Sequence, residues 1–154
     1  MTVPRSAAVA AVQKLYERRI AGLERGDVAA WLQGLRGATL IKQQRAVFDR
    51  MRALEVADLM VAGVTQLPGN GTAAATERQQ LQVGFSYRLT GLDTAPRRFV
   101  LDLMVEDAPG TAAGLVVTAS RPADRPQPWD LPDLQVRRSA AMLVALSGTA
   151  AEAD

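Results

Sequence analysis

The stretch QQLQVGFSYRLT, residues 79–90, decides the fold. Leu81, Val83, Phe85, Tyr87 and Leu89 alternate with Gln82, Gly84, Ser86 and Arg88, the period-two pattern of a strand with one buried and one wet face. The same pattern continues downstream. Residues 98–106 turn Phe99, Leu101, Leu103 and Val105 inward and Arg98, Asp102 and Glu106 outward, although Val100 and Met104 leave the second face partly apolar. Residues 114–120 (GLVVTAS) predict a fourth strand after a turn at APG, 108–110, and residues 56–66 (VADLMVAGVTQ) a first strand before the turn signal LPGNG at 67–71. Connections this short pair strands antiparallel.

Upstream of Glu55 the period is helical. Val12, Leu15, Tyr16, Ile20 and Leu23 form one stripe and predict an amphipathic helix over 6–25 that stops at Gly26. Asp27 is placed to cap a short second helix through Leu35, with Ala30, Trp31 and Leu35 inward, before the Gly34–Gly37 break. A third helix follows over 39–54, its face traced by Leu40, Gln44, Val47, Phe48, Met51 and Leu54, with Arg45, Asp49, Arg50 and Arg52 toward water. Residues 121–133 (RPADRPQPWDLPD) hold four of the eight prolines and read as a semi-rigid connector. Residues 134–146 predict one more strand, and 147–154 a flexible tail. The expectation is one α+β domain over residues 1–146, three N-terminal helices packed on a curved antiparallel sheet of four to six strands. A long first helix lying in a curved sheet is the cone of the NTF2-like and cystatin-like folds.

Composition excludes much chemistry. The 154 residues include no cysteine and no histidine, so disulfides, thiolate nucleophiles, Cys or His zinc sites and His-based triads are out of reach. There is no phosphate loop, no GxGxxG and no metal-ligand spacing, so no cofactor and no metal are expected. A net charge of +2 and an aromatic fraction of 5% supply neither a phosphate-binding stripe nor a stacking platform, which disfavours nucleic acid as a partner. The charge is mildly uneven, ten basic against five acidic side chains in residues 1–55 and eight against eleven thereafter. No run of eighteen apolar residues predicts a membrane span.

Cone folds commonly hold a pocket between helix and sheet. The predicted inward strand positions are apolar, with Tyr87 as the one polar handle, and Tyr16, Trp31, Phe85 and Tyr87 are the candidate pocket residues. Trp31 is expected to plug the end of the cone, and Trp129 to fold the Pro-rich connector back onto the sheet. Asp102 and Glu106 share a strand face but are roughly 13 Å apart at the usual strand rise, too far for a tight acid–base dyad. An enzymatic reading of the isomerase, cyclase or hydratase kind would have to use Asp102, Tyr87 and Asp49. Arg97 with Arg98, and Arg137 with Arg138, read as edge or loop charges. Val100, Met104 and Val116 on outward faces suggest a self-associating or secretion-associated module, a homodimer through the sheet face.

Three stretches carry a resemblance: QQRAVFDRMRALEVADLMV at 43–61, YRLTGLD at 87–93, and PWDLPDLQVRRSAAMLVAL at 128–146. In them the chain resembles the N-terminal NTF2-like domain of actinobacterial secreted or lipid-anchored proteins, where it precedes a zinc-metallopeptidase-like domain. Sixteen arginines against two lysines suit a high-GC source. The chain lacks HExxH, so the resemblance implies the accessory domain alone and no peptidase activity. It implies an extracytoplasmic or cell-surface location and a protein partner or adjacent domain. The function expected is therefore a non-catalytic accessory domain that mediates protein or domain interaction or binds a small apolar ligand.

Overall fold

The computed structural model describes residues 5–68, 78–139 and 143–147. Three helices, α1 (Arg5–Arg25), α2 (Val28–Trp31) and α3 (Ala38–Ala53), precede the strands β1 (Val56–Gln66), β2 (Arg78–Leu89), β3 (Arg97–Asp107) and β4 (Leu115–Pro122). A 3-10 turn, Pro128–Asp130, then leads to β5 (Leu134–Arg138) and β6 (Leu143–Ser147). The molecule is α+β, and no helix among the described residues is long and apolar enough to cross a membrane.

In α1 the buried stripe runs Ala8, Val12, Leu15, Tyr16, Arg19, Ile20 and Leu23. Gly26 ends the helix in the left-handed region, φ 72°. Asp27 then caps α2 by accepting the Ala30 amide at 3.1 Å. The two helices lie unusually close. A Cβ on Gly22 would stand 2.7 Å from that of Ala30, so α2 packs where α1 carries no side chain. The α3 face is the predicted one, with Leu40, Gln44, Val47, Phe48, Met51 and Leu54 all buried. Two arginines expected to face water do more than that. Arg52 Nη1 donates to the Leu23 carbonyl at 2.8 Å, and Arg50 Nη1 to that of Trp129 at 3.2 Å.

The four strands form one antiparallel sheet in the order β1-β2-β3-β4. Its register sets Phe85 opposite Phe99, Val83 opposite Leu101 and Leu81 opposite Leu103, so the alternation seen in the sequence builds one continuous apolar face. Tyr16 of α1 meets this face at Phe85, ring centroids 5.4 Å apart. Irregularities at Ala57/Met60, Val61/Gly63 and Met104/Val105 interrupt the register. Such bulges raise the local twist and bend a sheet around what it covers. The loop after α2 joins the far edge, where the Arg36 amide donates to Val117 O and the Val117 amide to Gly34 O, at 2.9 and 2.8 Å.

The short second helix ends at Trp31 and does not run through Leu35, which instead bridges to Val117 at the sheet edge, and further expectations also need correction. The stretch 134–146 is not one strand. It supplies the two strands of an antiparallel hairpin, β5 and β6, as a separate small sheet; the expected tail starts inside it, because Ser147 pairs with Leu134, and residues 148–154 lie outside the described residues. Arg138 bolts this hairpin to the main body through Glu55 at 2.9 Å and a hydrogen bond to the Thr90 carbonyl. Val116, expected on an outward face, is 6% exposed, whereas Met60 is 59% exposed.

Candidate ligand cleft

A cleft lies between the helices and the sheet. The helices contribute Tyr16, Ile20, Trp31, Gln44, Val47 and Met51. The strands contribute Leu59, Phe85, Phe99 and Leu101, and Ser120, Arg121, Pro122, Trp129 and Asp130 complete the wall with Gln43 of α3. The cavity volume of the cleft is about 30 Å³. One water needs roughly 10–15 Å³ by that measure, so the walls nearly meet.

Trp129 is the keystone of the wall. It is 1% exposed, with its ring edge-on to Tyr87 and Phe99 at 4.9 and 5.1 Å, while Phe99 stacks on Phe85 at 4.8 Å. The 3-10 turn holds it there: the Gln127 amide donates to Asp130 Oδ2 at 2.8 Å, and the Asp130 amide to Gln127 O at 2.9 Å. Burial pushes the Asp130 carboxyl above its ordinary value, against the opposing pull of the Gln127 amide and Arg50.

Of the four residues predicted to form a pocket, the structure brings Tyr16, Trp31 and Phe85 to the cleft. Tyr87 is not part of the lining. It packs behind Trp129, its hydroxyl donates to Gln127 Oε1 at 3.2 Å, and burial raises its pKa, with Arg97 lowering it in part. The candidate acid–base groups are not gathered either. Asp102 accepts from Gln82 Nε2 at 2.9 Å and faces Arg121 Nε at 3.6 Å in a cross-strand row, and Asp49 is exposed on α3. The charged members of the cleft wall are Arg121 and Asp130. The wall offers apolar contact area and a few hydrogen-bonding groups.

The residue that sequence reasoning missed is Arg19. It is completely buried, yet no carboxylate pairs with it among the described residues. Its guanidinium carbon lies 4.7 and 4.6 Å from the ring centroids of Tyr16 and Trp31. Nε donates to the Trp31 carbonyl at 2.6 Å and Nη2 to Gln44 Oε1 at 2.8 Å. Among the described residues Nη1 has no hydrogen-bond partner, and neither has the buried Tyr16 hydroxyl. Burial draws the Arg19 pKa below its ordinary value; the neighbouring Tyr16 favours the cation and offsets part of that. Tyr16, Trp31 and Gln44, which surround Arg19, are all cleft wall. Its position was available in the sequence, three residues after Tyr16 and four before Leu23, on the buried stripe itself.

Trp31 completes the arrangement by donating Nε1–H to the Gln44 carbonyl at 2.8 Å, which ties α2 to α3 directly over the cleft. No family model, no curated protein and no solved structure matches the chain.

Proposed function

We propose that this chain is a non-catalytic binding domain of the NTF2-like kind, whose cleft receives a small apolar ligand. The observation that carries the reading is the wall itself: Tyr16, Trp31, Phe85, Phe99, Leu101 and Trp129 converge on one space from five elements. Ligand sites are typically apolar and aromatic hollows with a few polar groups. The order of three helices before a bulged antiparallel meander fits the cone architecture. The resemblance in residues 43–61, 87–93 and 128–146 adds the setting, an extracytoplasmic accessory domain beside a partner protein or a neighbouring domain.

Because the free space is small, the ligand must part the wall. Both tryptophans of the chain line the cleft, so intrinsic fluorescence reports on it directly. Titration with 1-hexanol is expected to give a saturable change in tryptophan emission and a rise in Tm. A linear, unsaturable response with no change in Tm would overturn the proposal.

A further inference from the structure

We propose that the ligand carries a carboxylate, received by Arg19 Nη1 and the Tyr16 hydroxyl while its apolar body lies in the cleft. This rests on the reading of the cleft as a binding site and names its substrate class.

The surroundings of Arg19 are unbalanced. A buried cation is tolerated when it is paired and its donors are satisfied. Arg19 is fully buried, its acceptors are two neutral oxygens, and its remaining donor is unused. A second unused donor, the Tyr16 hydroxyl, belongs to a residue that is 2% exposed and forms part of the cleft wall. A buried cationic donor beside a buried hydroxyl, with no anion among the described residues to pair them, makes an incomplete anion site. A carboxylate has two oxygens and about four lone-pair positions, enough to take both donors, and guanidinium–carboxylate pairs are the stronger class of hydrogen bond.

The route is also visible. Gln44 lines the cleft and its Oε1 accepts from Arg19 Nη2, so the guanidinium lies one side chain from the cleft, with Nη1 left for an entering carboxylate. The surrounding rings of Tyr16 and Trp31 exclude water and strengthen the pairing. A purely apolar ligand would leave both donors unused.

The experiment compares matched probes on the intact chain by calorimetry: hexanoate against 1-hexanol, and benzoate against benzyl alcohol, all at one pH and ionic strength. Each carboxylate is expected to bind at least tenfold more tightly than its alcohol, about 1.4 kcal/mol. Equal affinities would overturn this inference and leave the apolar cleft standing, and failure of all four to bind would overturn both. Gln44→Glu gives a second test that does not depend on removing Arg19. A resident carboxylate beside the guanidinium should raise Tm and reduce the preference for hexanoate over 1-hexanol to near unity. An unchanged preference in that variant would contradict the assignment. Arg19→Lys, which keeps the charge but loses the planar fork, should retain part of the preference.

Discussion

Replacing Trp129 by Ala probes the Pro-rich turn and the cleft together. The side chain is 1% exposed and holds two edge-on aromatic contacts, to Tyr87 at 4.9 Å and Phe99 at 5.1 Å. Truncating a buried Trp to Ala costs about 3–5 kcal/mol, and each lost aromatic pair carries roughly 0.5–1.5 kcal/mol beyond its buried area. The backbone anchors stay: Arg50 still reaches the residue 129 carbonyl and Asp130 still takes the Gln127 amide. The turn should therefore remain in place over a widened cleft, with a loss of about 3–4 kcal/mol. At roughly 2–4 °C per kcal/mol for a chain of this size, Tm should fall by about 6–16 °C. Urea unfolding followed by far-UV circular dichroism measures the loss, and an unchanged m-value shows that the two states compared are the same. The wider cleft should also bind 1-hexanol more tightly. A loss below about 0.5 kcal/mol, the range of ordinary surface substitutions, would refute the claim that Trp129 seals the apolar face.

Three further outcomes follow from single contacts. Trp31→Phe removes the indole donor to the Gln44 carbonyl and should cost about 1–2 kcal/mol in urea unfolding, with helical content intact. Asp93 feels burial, which raises its pKa, but the Leu89 amide and Arg97, both at 2.8 Å, outweigh it and hold the carboxyl below its ordinary value. A depressed acid stabilises above its unfolded pKa of about 3.9 and loses that contribution as pH falls through the folded value. Asp93→Asn should thus be less stable than the parent at pH 7, and in acid denaturation scans the gap should close as pH falls through the folded value. Tyr87 behaves with the opposite sense: its raised pKa favours the neutral phenol, so its contribution is complete below about pH 10 and is lost as pH rises through the folded value. In Tyr87→Phe that alkaline loss should vanish, while the lost hydrogen bond to Gln127 costs about 0.5–1.5 kcal/mol at neutral pH.

Much of the fold is written in local pattern. The alternation at 79–90 fixes which face of β2 is buried, Gly26 and Asp27 mark the α1–α2 junction, and the stripe from Leu40 to Leu54 is the buried face of α3. The β5–β6 hairpin was not legible because SAAMLV, residues 139–144, has no Gly, Pro, Asn or Asp to punctuate it. At the cleft, Tyr16, Trp31 and Phe85 could be picked out because each sits on its element's apolar face. Phe99 and Leu101 were read as core. Their role as cleft wall depends on Trp129, and the contact of Trp129 with Phe99 and Tyr87 joins segments far apart in the chain. Arg19 was hidden by its type: a charge among stripe residues is read as solvated unless its helical position is counted.

The most direct test of the binding cleft is the location of a bound probe by nuclear Overhauser contacts in solution, with 1-hexanol as the probe. Contacts to the side chains of Val47, Met51 and Leu101, together with the indole rings of Trp31 and Trp129, are predicted. Contacts confined to Met60, Val100 and Met104 on the outer sheet face, with the cleft residues silent, would contradict the account.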